Sequence, residues 1–160
     1  MSAVLRSPSS DDYAAMLALN NDFAVETSLL SITALRELIA SSFLVSISGK
    51  IDGFCIALDQ NAQYQNINFN WFRQRYRQFV YIDRVVVAAN ARGKGIAREM
   101  YNDLKVTSKN ASHSVICCEV NIDPPNVASD RFHEAFGFVQ VGKAFLSDRA
   151  KTVRYLALSI

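Results

Sequence analysis

Between Phe79 and Leu104 the sequence passes from a strand, through a polar glycine-containing turn, into a helix. Phe79 to Val87 is dense in aromatic and β-branched residues. Val85-Val86-Val87 offers no polar side, so the segment reads as a strand buried on both faces. Asn90 to Gly95 then supplies a turn. After it, Ile96, Met100 and Leu104 recur at helical spacing with Ala97 and Tyr101 beside them. Arg98, Glu99, Asn102 and Lys105 take the wet side of that helix. This unit commits the chain to a mixed α/β fold.

The turn itself carries chemistry. Gly93 and Gly95 let backbone pass close to a ligand without a Cβ in the way. The helix start presents unpaired N–H groups and the positive end of its dipole. Arg92 and Lys94 add charge, so the turn reads as an anion cradle suited to a pyrophosphate. It is not a Walker A loop, because GxxxxGK[ST] spacing is absent. It is not a dinucleotide fingerprint either, since Arg98 stands where a third glycine is needed. The plain alternative is an ordinary strand-to-helix turn with incidental basic residues.

The remaining elements follow from periodicity and punctuation. Ala3 to Arg6 is a short strand, and Ser9 to Asp12 suits a helix start. Tyr13, Met16, Leu17 and Asn20 recur at helical spacing. A second helix is expected over Thr33 to Ala40. Phe43 to Ile47 and Ile51 to Leu58 form a hairpin around Gly49-Lys50. Gln60 to Gln78, rich in Gln, Asn, Arg and aromatics, reads as an excursion with a short helix at Trp71 to Arg77. Ser114 to Val120 is a strand ended by Pro124-Pro125. Asn126 then caps a helix that Gly137 stops. Phe138 to Phe145 and Thr152 to Leu158 are closing strands. The 160 residues are expected to make one domain, 1–160, with 59–79 as its excursion.

Composition narrows the function classes. Seventeen basic against fifteen acidic residues leave a net charge of +2. That is too small to mark a nucleic-acid or membrane protein. Three cysteines, two of them adjacent, make no disulfide framework, and they read as reduced thiols. Cys117-Cys118 with His113 and His133 lacks metal-ligand spacing, so no metal is expected. No secretory signal or membrane-spanning stretch is visible, and the expected location is cytoplasmic.

Arg92-Gly93-Lys94-Gly95-Ile96-Ala97, following the Val85–Val87 strand, resembles the acetyl-CoA motif of the GNAT N-acetyltransferase superfamily, [RQ]-x-x-G-x-[GA]. A second family element is matched by Asn126-Val-Ala-Ser129 followed by Phe132-His133-Glu-Ala-Phe136-Gly137-Phe138. The resemblance implies a single domain with a mixed sheet of six to seven strands, splayed near the middle and flanked by about four helices. It implies acetyl-CoA as co-substrate and a primary amine of a small molecule or peptide as acceptor. Backbone groups of Val85, Val86 and Val87 would pair with the pantetheine arm. N–H groups from Arg92, Gly93, Lys94, Gly95, Ile96 and Ala97 would hold the pyrophosphate. Asn126, with Ser129 in the same motif, would bond near the pantetheine, or Asn126 is a plain helix cap. Many family members have Tyr where this chain has His133, and that Tyr protonates the leaving thiolate. His133 could do the same. It is dispensable if the thiolate leaves unaided, because a thiol pKa near 8.5 already makes a tolerable leaving group.

The amine must lose a proton before it attacks, and a carboxylate can take it. Asp83 and Glu119 are charges inside apolar strands, where burial without a partner is costly. Asp83 is favoured as the base over Glu119, with a structural salt bridge as the alternative role. Trp71, Tyr76 and Tyr81 are expected to wall the acceptor pocket, or else to cover the sheet edge. The aromatic excursion also makes a homodimer reasonable. Two other functional classes compete with the enzyme. One is a CoA-binding regulatory module without turnover. The other, disfavoured by the low net charge, is a nucleic-acid adaptor using Arg73, Arg75 and Arg77.

Overall fold

Local hydrogen bonds set where each element starts. A computed structural model describes residues 3–160. The first strand, β1 (Leu5–Arg6), is followed by a turn in which the Asp12 carboxylate accepts from the Ser9 N–H at 2.7 Å. Asp12 also pairs with Arg6 at 2.8 Å. Helix α1 (Tyr13–Asp22) and the one-turn α2 (Ala24–Thr27) follow. The Ser31 hydroxyl caps α3 (Ile32–Ala40) by accepting from the Ala34 N–H. Strands β2 (Leu44–Ser48) and β3 (Gly53–Asp59) form the expected hairpin. The returning strand starts two residues later than expected, because Ile51 has φ +68° and belongs to the turn.

The excursion departs most from its sequence reading. Its helix, α4 (Ile67–Arg73), begins four residues before Trp71, because Asn66 Oδ1 accepts from the N–H groups of Asn68 and Phe69. Phe69 and Phe72 are fully buried, and their rings contact Phe79, Tyr81 and Tyr155. The segment is thus a wall of the core rather than a loose cover.

Strand β4 (Val80–Val87), helix α5 (Ile96–Asn110), strand β5 (Val115–Asp123) and helix α6 (Val127–Phe136) come next. The chain closes with β6 (Val139–Leu146) and β7 (Lys151–Ser159). Among the described residues the seven strands lie in the order β1-β2-β3-β4-β5-β7-β6. Every neighbouring pair is antiparallel except β4 and β5, which run parallel. That pair holds only at Val80–Ile116 and Tyr81–Cys117. Beyond it the strands splay, as expected. Apolar clusters fill both faces of the sheet, with α1, α3 and α4 on one side and α5 and α6 on the other.

One irregularity decides the site. Ile56 pairs with Arg84, and Ala57 pairs with Ile82, so Asp83 is an extra residue in β4. Such a bulge resets the alternation of faces. Val86 therefore points into the core, while Val85 and Val87 are only half-buried on the other face. This corrects the expectation that all three valines are buried on both sides. No helix among the described residues is long and apolar enough to cross a membrane.

Candidate functional site

The splay opens into two connected hollows. The larger, a cleft of about 490 Å³, runs from Val85, Val86 and Val87 to the start of α5 and across to α6. Arg92, Gly93, Gly95, Ile96 and Ala97 line one end, and Asn126, Ser129 and His133 line the other. Lys94 is exposed at the tip of the turn and lies outside this lining. Gly93 and Gly95 hold φ of +78° and +79°, where L side chains are strained. No atom lies within 4 Å of the Cβ position at either glycine, so conformation, not crowding, requires them. The open turn and the free N–H groups of the first turn of α5 fit a pyrophosphate. Arg92 is anchored rather than loose: its guanidinium sits 4.6 Å from the centre of the Phe23 ring.

Asn126 does what a helix cap does, accepting from the Ser129 N–H at 3.3 Å, and it also lines the cleft. His133, one turn further on, is buried with both ring nitrogens engaged. Nδ1 lies 2.7 Å from the Ser129 carbonyl, which only accepts, so this nitrogen carries the proton. Nε2 is left to accept from the Tyr101 hydroxyl at 2.8 Å. Burial lowers the His133 pKa from its ordinary 6.5, so the ring is neutral near pH 7. Tyr101 reads from sequence as a core residue of the α5 stripe, and nothing in its spacing announces this bond.

The smaller hollow, about 130 Å³, is polar and lies between β4 and β5. It shares Glu26, Thr27, Val85, Asn126, Ser129 and His133 with the cleft, so the two meet at one junction. Asp83 and Glu119 both line it. Glu119 is half-buried, and its carboxylate accepts from the Tyr81 hydroxyl at 2.7 Å and from the Asn68 amide at 3.1 Å. Asn68 is itself held by the Tyr155 hydroxyl at 2.8 Å. Burial is the main cause that pushes the Glu119 pKa up to about 7, and the Asp83 charge adds to it. Asp83, in contrast, accepts from Arg84 Nε at 2.7 Å and from the Tyr64 hydroxyl.

The aromatic residues expected to wall this pocket do something else. Trp71 stacks on Tyr155 at 4.2 Å, with Arg75 over its ring, and lies outside the pocket. Tyr76 stacks on Phe72. Tyr81 is fully buried and reaches the site only through its bond to Glu119. From the excursion, the wall is made instead by Asn66 and Asn68, polar residues that carried no signal in the sequence. Arg73 and Arg75 are committed to the excursion's own rings and carbonyls. All three cysteines are free and buried. Among the described residues no three His, Cys, Asp or Glu side chains gather as a metal site.

The Acetyltransferase (GNAT) family model matches residues 15–138 of the chain. No curated protein matches the sequence. Solved structures of similar fold are many. A chain of the NatC complex bound to Gag peptide and CoA superposes with a TM-score of 0.78 at 17% identity, covering 100% of this chain and 99% of that one. Arabidopsis thaliana NAA60 in complex with acetyl-CoA gives 0.78 at 14% identity, covering 99% and 100%. The Escherichia coli ribosomal-protein-S18-alanine N-acetyltransferase gives 0.74 at 14% identity, covering 99% and 94%.

Proposed function

The chain belongs to the GNAT acetyltransferase family, and on that premise we propose that it moves an acetyl group from acetyl-CoA to a primary amine by direct attack within a ternary complex. The observation that carries this reading is the junction of the two hollows. A cleft with an anion cradle at one end meets a polar pocket holding a carboxylate that titrates near neutrality.

Bound acetyl-CoA supplies a thioester carbonyl. The start of α5 and the glycine turn would hold its pyrophosphate, and Val85 and Val87 would border the pantetheine arm. Glu119 acts as general base. It is ionised above about pH 7, where it can take a proton from the incoming amine directly or through a water. Tyr81 and Asn68 aim its oxygens. Asp83, the base favoured from sequence, is already engaged by Arg84 and Tyr64. His133 in its resting tautomer has no proton to give toward the cleft. The thiolate therefore leaves without its help, which a thiol pKa near 8.5 permits.

The peptide in the NatC structure supports a peptide amine as one acceptor class, and the small polar pocket suits an amine carried on a short group. A CoA-binding module without turnover is the second reading, favoured by the engaged state of His133. Calorimetric titration with acetyl-CoA comes first, beside the Arg92→Ala, Gly95→Glu double variant. Binding lost in the variant establishes the cradle. Thiol release on adding amines then separates enzyme from module. A folded protein that does not bind acetyl-CoA refutes both.

A further inference from the structure

Asp83 owes an unusual neighbour to the bulge. Successive residues of a regular strand point to opposite faces, which keeps their side chains apart. Here the extra residue lets Arg84 Nε approach the Asp83 carboxylate to 2.7 Å. Both side chains are nearly dry, at 3% exposure for Asp83 and 6% for Arg84. The far end of the guanidinium turns toward α1, where it donates to Asn20 Oδ1 at 2.9 Å. An arginine keeps its proton in a protein, so Asp83 is an anion with a permanent partner. A buried ion pair is often no more stabilising than an apolar pair of the same size, so stability is a poor account of this one.

Glu119 is the other carboxylate of the pocket, and neither of its hydrogen-bond partners carries charge. Several elements bring titratable groups to face it. β4 contributes Tyr81 and Asp83, and Tyr64 precedes α4. Cys118 is its neighbour on β5, α5 contributes Tyr101, and β7 contributes Tyr155 through Asn68. Burial raises the pKa of each of these tyrosines and of Cys118, so all are neutral at pH 7. His133 of α6 is neutral as well. Glu26, Arg149 and Lys151 lie at the wetter rim, where water screens them. Among the described residues this leaves Asp83 as the buried anion that shares the pocket with Glu119, its Arg84 partner lining the same hollow and reaching on to Asn20.

We propose that Asp83 is not the base but a fixed anion that adds to burial in making Glu119 hold its proton to higher pH. The proposal rests on the reading of Glu119 as base, and it makes Asp83 and Arg84 positioning residues. The test is a carbon-detected NMR titration of the Glu119 carboxyl in the full chain without substrate, assigned with Glu119→Gln. Wild type is compared with Asp83→Asn and with the Asp83→Asn, Arg84→Gln double variant. The double variant leaves no unpaired buried cation and so guards against misfolding. The expected result is a Glu119 midpoint lower by about half a unit or more in the variants, with the acid limb of kcat/KM moved equally. A midpoint unchanged in the folded double variant overturns the proposal. So does an Asp83→Asn protein that loses turnover at every pH while Glu119 titrates as in wild type, since that makes Asp83 the base. A lowered midpoint in a protein that acetylates no amine supports the tuning and rejects the acetyl-transfer reading.

Discussion

Two side chains carry the sharpest consequences at the scale of single residues. Glu119→Gln keeps an oxygen for the Tyr81 hydroxyl but cannot accept a proton. Its kcat/KM should fall by about 10²- to 10⁴-fold, the usual worth of a general base, with acetyl-CoA affinity little changed. Steady-state thiol release and calorimetry read the two effects separately. In wild type, kcat/KM should rise with pH through about 7 as Glu119 loses its proton. At His133, substitution distinguishes structure from catalysis. His133→Ala strands the buried Tyr101 hydroxyl and should cost about 1–3 kcal/mol in urea unfolding. His133→Gln restores an acceptor and should keep kcat within about tenfold of wild type, because the leaving thiol needs little help. A far larger loss of kcat in a stable His133→Gln protein would instead assign His133 the role of acid.

Among the elements, α4 has the most to answer for. Asn66 starts it, and that start places Asn68 against Glu119 and Trp71 against β7 and β6. Gly142 of β6 lies so close to Trp71 that an added Cβ would meet the indole at 2.5 Å. Gly142→Ala should therefore destabilise the fold by about 1–3 kcal/mol through overpacking. Gly142→Ala combined with Trp71→Phe should recover part of that loss, which thermal unfolding can measure. The bulge in β4 acts in the same way on function: one inserted residue turns Val85 and Val87 toward the cleft and brings Asp83 beside Arg84.

Over the whole molecule, two groups of the site bend stability with pH in opposite directions. Glu119 moves from an ordinary value near 4.5 to about 7 on folding, so the native state binds the proton more tightly. Its penalty is absent below about pH 4.5 and grows to about 3 kcal/mol by pH 7 and above. His133 is lowered from 6.5, so the unfolded chain binds its proton more tightly, and stability is lost as pH falls below that value. The two trends oppose each other between about pH 4.5 and 6.5. In wild type each trend masks part of the other. Glu119→Gln should expose the His133 slope, and should be more stable than wild type at pH 8 but not at pH 4. Urea unfolding across this range decides it, and equal stability of the two proteins at pH 8 would contradict the raised Glu119.

By itself the sequence determined what depends on neighbours along the chain. Glycines at 93 and 95 between a β-branched strand and an amphipathic helix require the cradle, and Asn126 with Gly137 frames α6, because turns and caps are satisfied locally. The order of the strands and of the longer helices was legible for the same reason, whereas the one-turn α2 was not read. What the tertiary structure decided lies across the sheet. A single extra residue in β4 is invisible without its partner strand, yet it divides the faces of the three valines and pairs two adjacent charges. The bond from Tyr101 to His133 joins residues 32 apart, and the bond from Asn68 to Glu119 joins residues 51 apart. Burial in a splay formed by distant segments separates a carboxylate engaged by arginine from one free to take a proton. No spacing in the chain encodes that difference.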